Sequence, residues 1–299
     1  MVHFEREQSV VNIGGLSLGG QPGEYPTVLM AAMFYAGDQL VPDVQRADFD
    51  RAGAAEAVDR AESMCSEVGV PLVLDVICAT PDQARAFVGF ALEESDAPVL
   101  MDGTTPEVRL AGLEAAAERG AQERVIFNAI SDTATDEELR RTVNLGFESA
   151  VLMLLNSKDP TARGKTKVAG ELIPRAQDLG FRNLLLDLAV LDIVDVGTCA
   201  VALRELKEEF GLPCGCSPTH THRDRWAKAS LFETKAQAAA KVSCATMLQC
   251  AGADFVMYDI KQTEVIPAMA MVDAEIAYGA RTWKVRPRTD RHPLYRIFR

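Results

Sequence analysis

The fold class that the sequence predicts is α/β: a (β/α)8 TIM barrel with a short N-terminal β-hairpin cap, running as one domain over residues 1–299. Three observations predict it. Eight short apolar runs, each followed by a helical pattern, recur at intervals of roughly 25–40 residues, the rhythm of a β/α barrel. The 299 residues suffice for a barrel of about 250 residues with extensions at both ends. The first apolar run leads into Tyr35-Ala36-Gly37-Asp38, not the G-x-G-x-x-G turn expected of a doubly wound open sheet.

The elements follow in order. In Ser9–Gln21 two short alternating runs flank Gly14-Gly15, a hairpin signature placed over the bottom of the barrel. Thr27–Phe34 is the first barrel strand, and Ala52–Val68 a helix stopped by Gly69. Leu72–Ile77 is a strand, and Thr80 with Gln83 a capping box that opens a helix. Val99–Met101 and Val125–Phe127 are strands; the helix between them has Thr105 as N-cap, Pro106 in its first position and Gly120 as its stop. Thr135 and Glu138 form a second capping box, and Gly146 ends that helix. Then come strand Ala150–Leu155, helix Val168–Leu179 stopped by Gly180, strand Asn183–Leu186, a helix from Thr198 to about Phe210, and strand Leu212–Cys216. Helix Lys235–Cys250, strand Ala253–Tyr258 and helix Glu264–Ala277 close the barrel, and the basic tail Arg281–Arg299 packs outside it.

Composition narrows the function. Lys and Arg number 31 against 43 Asp and Glu, a net charge of −12, which disfavours nucleic-acid binding. The most apolar run, Leu184–Val196, is too short for a membrane span and is broken by Asp187, Asp192 and Asp195. The N-terminus has no signal-peptide pattern. Seven cysteines, an odd number scattered through apolar stretches, read as reduced thiols of a cytoplasmic protein.

Barrels carry their ligand sites at the carboxyl ends of the strands. Those ends offer Asp75, Asp102, Asn128, Asn156, Asp187, Ser217 and Tyr258. Any one of them could merely cap the next turn. Several at equivalent points make a pocket rich in carboxylates and amides, without a histidine base. A carboxylate accepts two parallel N–H donors from one edge of a heterocycle, and an Asn both donates and accepts. Pterins present such an edge, a ring N–H beside an exocyclic amine.

Two other stretches carry candidate chemistry. Cys214, Cys216, His220 and His222 lie within nine residues and could ligate zinc or support a zinc–thiolate methyltransferase. Their C-x-C and H-x-H spacings differ from the usual ones, and strand alternation is expected to turn Cys214 away from Cys216, so no metal site is expected. Lys158–Lys167 reads as a basic, solvated loop that could meet an acidic substrate tail. Its Gly164-Lys165-Thr166 lacks the upstream glycine of a phosphate-binding loop.

The stretches NIGGLSLGGQPGEYPTVLMAAMFYAGDQLV, FDRAGAAEAV, VLMDGTTPEVR, VIFNAIS, LLLDLAVLD, GLPCGCSPTH and DFVMYDIKQTE together resemble the H-subunit family of tetrahydromethanopterin S-methyltransferase over nearly the whole chain. That family is similar to methyltetrahydrofolate:corrinoid methyltransferases and, more distantly, to dihydropteroate synthases, all pterin-binding TIM barrels. The resemblance implies methyl transfer between N5 of a methyl-tetrahydropterin, tetrahydrofolate or tetrahydromethanopterin, and the cobalt of a corrinoid supplied by a partner protein. The alternative it leaves is a non-catalytic pterin-binding or assembly subunit of a methyl-transfer complex. It implies that Asp102, Asn128 and Asp187 hold the pterin, Asp187 on the N–H and amine edge, with Asp75 ordering a proton or water near N5. The catalytic set implied is Asp75, Asp102 and Asn128; the corrinoid methyltransferases carry a further Asn after the seventh strand, and here Ser217 is the expected substitute that touches the pterin. The Lys and Ser-x-Arg of dihydropteroate synthases are replaced by Tyr258-Asp259-Ile260-Lys261, so that activity is not expected. A homodimer is the expected assembly.

Overall fold

The computed structural model describes residues 2–190, 195–218 and 234–298. Asp192, His220 and His222 lie outside these. Strands β1 (Val10–Ile13) and β2 (Leu16–Gly19) pair antiparallel as the N-terminal hairpin. Eight parallel strands close a barrel: β3 (Val28–Met33), β4 (Leu72–Cys78), β5 (Val99–Gly103), β6 (Val125–Ile130), β7 (Ser149–Met153), β8 (Asn183–Asp187), β9 (Cys214–Cys216) and β10 (Phe255–Asp259), with β10 pairing back onto β3. Helices α1 (Arg51–Val68), α2 (Pro81–Glu94), α3 (Pro106–Ala117), α4 (Asp136–Asn144), α5 (Ala162–Leu179), α6 (Asp195–Phe210), α7 (Thr234–Ala251) and α8 (Val265–Ala280) alternate with them. The expected barrel and hairpin are both present.

Strand alternation divides the core in two. Leu74, Val76, Met101, Phe127, Leu152, Leu184 and Leu186 face outward into the layer shared with the helices. Val28, Met30, Val73, Leu100, Ile126, Val151, Leu185, Phe255 and Met257 fill the barrel. The hairpin's Val11, Ile13 and Leu18 join this inner cluster and plug the lower end. Burying each such side chain contributes about 1.5–3 kcal/mol. The Gly14 N–H donates to Glu123 O (2.9 Å) just below β6, and the Ser9 N–H to Gly211 O (2.7 Å) below β9. Gly14 has φ 55°, and a Cβ there would come within 2.6 Å of the Arg124 Cβ. Gly14→Ala is therefore expected to lower stability by about 1–3 kcal/mol; thermal denaturation followed by circular dichroism checks this.

The caps act largely as the sequence suggested. Gly69 and Gly180 end α1 and α5 in left-handed conformations. Thr80, Thr105 and Thr135 each accept the N–H three residues on. The box residues, however, turn elsewhere. Gln83 Oε1 accepts the Ala79 N–H at 2.9 Å, and Glu138 pairs with Arg109 at 2.7 Å.

Several boundaries differ from expectation; β9, for one, starts at Cys214 and not Leu212, and β6 runs on to Ile130. Helix α6 runs over Asp195–Phe210, with Thr198 inside it and not at its cap. Helix α5 starts at Ala162, capped by Thr161, so most of the expected basic loop is helical. Strand β7 ends at Met153, two residues early. The tail packs on the barrel as expected: α9 (Pro293–Ile297) brings Leu294 against Ala274 and Ala277 of α8.

Candidate active site at the barrel mouth

The polar residues of the mouth arise from the same alternation that builds the interior. Two residues beyond the inward-facing Val73, Leu100, Ile126 and Leu185 stand Asp75, Asp102, Asn128 and Asp187. All four therefore share the inner surface, one step nearer the carboxyl ends. Asp102 lies directly beside Asn128 in the β5–β6 register. Asp187 ends β8 beside Gly215 of β9, whose missing side chain leaves the space to the Phe255 ring. Asp75, Asn128 and Asp187 are only 2%, 6% and 8% exposed, whereas Asp102 is more open.

The electrostatics set the three carboxylates apart. Burial pushes the Asp75 carboxyl well above the ordinary carboxylate range, and the negative charges of Asp102 and Asp187 push it further. Its Oδ1 is buried without a hydrogen-bond partner among the described residues. Burial raises Asp102 to about 6; the Arg109 guanidinium and a hydrogen bond from Asn128 oppose this, while Asp187 adds to it. Asn128 thus gives its amide N–H to Asp102, and its own Oδ1 is buried and unpartnered. Burial raises Asp187 to about 6 as well, opposed by the Ala189 N–H, which donates to Asp187 Oδ1 at 3.0 Å, and by the Lys165 ammonium. Burial and the two neighbouring carboxylates thus bias Asp75 toward its protonated form, while Asp102 and Asp187 each have groups that favour the anion. Two buried oxygens, Asp75 Oδ1 and Asn128 Oδ1, have no hydrogen-bond partner among the described residues, which is rare for buried polar atoms and marks this layer as a candidate binding site.

Such a layer is poorly suited to an empty fold. A carboxyl moved from 3.8 to about 6 costs folding about 3 kcal/mol once it is ionised in both states. Because the folded pKa is the higher one, its stabilising proton is fully present below the unfolded value and is lost as pH rises through about 6. Asp187→Asn keeps an oxygen for the Ala189 N–H. It is expected to match the wild type in stability near pH 4 and to exceed it by up to about 3 kcal/mol above pH 6. Chemical denaturation of the unliganded proteins at pH 4 and pH 8 measures this.

The other strand-end candidates divide. Ser217 follows β9 at the mouth and is partly buried. Asn156 is not in the layer: its Oδ1 accepts the Lys158 and Asp159 N–H groups at 3.1 and 3.0 Å, forming the turn before α5. Tyr258 faces outward into the helix layer, with its hydroxyl buried and unpartnered. Asp259, one residue on, has the inward parity of Phe255 and Met257, and its Oδ2 accepts the Tyr35 hydroxyl at 2.7 Å. Cys214 and Cys216 both face the helices, because residues two apart share one side of a strand; the expectation that they diverge is corrected. Burial raises the Cys214 thiol, and Cys216 is raised first by its hydrogen bond with Cys199 and then by burial, which disfavours thiolate ligands. The histidines of the zinc reading lie outside the described residues.

Sequence reading missed Arg109 and Lys165. Arg109, on α3, donates to Gly103 O (2.9 Å) and pairs with the buried Glu138, which places its charge behind Asp102. Lys165 is 4% exposed, and its ammonium donates to Leu188 O and Ala189 O behind Asp187. Backbone strain falls at the same end of the barrel. Phe34 after β3 and Ala189 after β8 have φ of 67° and 49°, and such outliers gather at functional sites.

Comparison with known proteins bears on the family and the fold. The family model described as "Tetrahydromethanopterin S-methyltransferase MtrH subunit" matches residues 6–288. The H subunit of tetrahydromethanopterin S-methyltransferase from Methanothermobacter marburgensis is 31% identical over 311 residues, covering 99% of this chain and 100% of that one. Its counterpart in Methanocaldococcus jannaschii is 31% identical over 320 residues, with the same coverage. Among solved structures, dihydropteroate synthase from Xanthomonas albilineans, in complex with indole-2-carboxylic acid and 6-chloroguanine, superposes with a TM-score of 0.65 at 17% identity, covering 90% of this chain and 98% of that one. Dihydropteroate synthase from Yersinia pestis superposes with a TM-score of 0.64 at 17% identity, covering 89% and 99%. At that identity the likeness concerns the fold.

Proposed function

The chain belongs to the family of the tetrahydromethanopterin S-methyltransferase MtrH subunit, and from that premise we propose that it binds a methylated tetrahydropterin in the barrel mouth and catalyses transfer of the N5 methyl group to a corrinoid carried by a partner protein. The observation that carries this reading is the buried layer of Asp75, Asp102, Asn128 and Asp187 with two unpartnered acceptor oxygens. Its donor and acceptor set fits a pterin ring edge. Asp187 takes the ring N–H and exocyclic amine, while Asn128 and Asp102 serve the remaining ring nitrogens. Asp75, biased toward its protonated form, faces N5.

A tertiary amine is a poor leaving group until its nitrogen is protonated or hydrogen-bonded. As the C–N bond breaks, its electron pair stays on N5. A proton from Asp75 would neutralise that pair, leaving a carboxylate to be reprotonated from solvent. The anionic Asp102 and Asp187 favour the positive charge that gathers on the pterin during protonation. The corrinoid supplies a reduced cobalt as methyl acceptor, and the residues of the chain bind, orient and protonate the donor. The acceptor would approach at the carboxyl ends of the strands, where this layer faces.

Equilibrium titration with methyl-tetrahydromethanopterin and, separately, methyl-tetrahydrofolate tests the binding half of the proposal. Saturable one-site binding of either, abolished by Asp102→Ala together with Asn128→Ala, is expected. Unchanged binding in that double variant would overturn the site assignment.

A further inference from the structure

We propose that Lys165 is a positioning residue of this site, fixing the turn after β8 from behind so that Asp187 meets the ligand as an oriented anion. The inference rests on the pterin reading above and deepens it.

Lysine is almost never fully buried unless its charge is satisfied. Lys165 sits in the first turn of α5, yet only 4% of it is exposed. Its Nζ donates to Leu188 O and to Ala189 O, the latter at 3.5 Å. Those carbonyls belong to the two residues that immediately follow Asp187. Ala189 has φ 49°, a left-handed conformation that a residue with a Cβ rarely adopts and that its surroundings must impose. In that conformation the Ala189 N–H turns back to Asp187 Oδ1 at 3.0 Å. Ammonium, strained turn and carboxylate thus form one connected unit. The lysine holds the carbonyl side of the turn, and the turn's N–H holds one carboxylate oxygen, leaving the other for a ligand.

The charged surroundings of Asp187 make the ammonium's role electrostatic as well. Asp75 on β4 and Asp102 on β5 feel its negative charge from across the barrel, and the Cys199 thiol on α6 and the Cys216 thiol on β9 feel it from behind. Lys165 is the cation that opposes burial at Asp187, as Arg109 does at Asp102. Among the described residues, no cation is one of the groups that shift Asp75. The Ala189 N–H, held by the turn that the lysine fixes, and then the ammonium itself favour the anion at Asp187, while burial and neighbouring carboxylates bias Asp75 toward its proton.

Two variants, Lys165→Met and Lys165→Arg, test this, with carboxyl-carbon NMR of Asp187 in the unliganded protein and methylpterin titrations from pH 5 to pH 9. In the wild type Asp187 is expected to titrate near 6, and methylpterin binding to fade as pH falls through that value. In Lys165→Met the Asp187 midpoint moves upward, the pH at which binding fades moves up with it, and Kd at pH 7 rises roughly 10- to 100-fold. Lys165→Arg, keeping the charge, stays nearer the wild type in both readouts. A lysine that merely supported the fold would lower the melting temperature and leave the Asp187 midpoint unmoved. That outcome in folded Lys165→Met, or a Lys165→Arg midpoint as high as that of Lys165→Met, would overturn the proposal. If Lys165→Met does not fold, Lys165→Gln, which keeps a donor for the Leu188 and Ala189 carbonyls but no charge, decides: an Asp187 midpoint above the wild type supports the proposal, and an unmoved one sinks it. If the wild type binds neither methylpterin, the proposed function fails, while the NMR midpoints still decide the role of Lys165.

Discussion

Asp75→Asn should leave the protein folded and able to bind methylpterin within a few-fold of the wild type, while single-turnover methyl transfer falls by about 10²–10³-fold. The two halves have different causes. Burial and the neighbouring carboxylates bias Asp75 toward its neutral, protonated form, so an amide of the same shape is expected to change stability little. An amide N–H can still donate a hydrogen bond, but it cannot surrender its proton to a departing nitrogen. The wild type should also lose rate on the alkaline side as Asp75 finally ionises, because the folded site binds that proton more tightly than the free side chain does. Asp75→Asn should lack that limb. Stopped-flow transfer measured across pH compares the two proteins directly. A variant that transfers at the wild-type rate would remove Asp75 from the chemistry.

Asp187→Ala and Asn128→Ala should instead weaken binding, each raising Kd about 10- to 100-fold and each with a stably folded protein. The Asp187 carboxylate has one oxygen committed to the Ala189 N–H, and losing it removes an anion that would accept charged or polarised donors. Asn128→Ala removes the unpartnered Oδ1 and also strips Asp102 of the amide that holds it down, so Asp102 gains a proton more readily. Its binding defect should therefore be smaller at pH 8 than at pH 6, because more Asp102 is ionised at the higher pH. Isothermal titration at the two pH values measures both effects. Equal defects at both pH values would argue that Asn128 acts on the ligand alone.

The barrel and most of its site could be read from the sequence because both follow local rules. A parallel strand buried on both faces shows as an apolar run. A polar residue within or ending such a run, as in VLDVI or FNAIS, is conspicuous against it. The errors arose where a run's end had to be fixed to a single residue. Tyr258 and Asp259 differ by one position, and one step moves a side chain from the interior to the helix layer. Asn156 fell beyond the true end of β7, where the chain was already turning. Arg109 and Lys165 left no such mark. Each lies on a helix, and its relation to Asp102 or Asp187 comes from packing between elements far apart in sequence. Lys165 was further disguised by the lysines and arginine around it, which made a helix start look like a solvated loop.

The central claim is that the buried carboxylate–amide layer activates a methylpterin for transfer to a reduced corrinoid. Its most direct measurement is the loss of the Co(I) corrinoid absorbance on mixing with the protein and methyl-tetrahydromethanopterin or methyl-tetrahydrofolate, under strictly reducing conditions. The expected result is protein-dependent methylation of cobalt with at least one of the two pterins, strongly slowed by Asp75→Asn. Saturable methylpterin binding without cobalt methylation, for free and protein-bound corrinoid alike, would contradict the claim and leave a subunit that binds the pterin but does not transfer its methyl group.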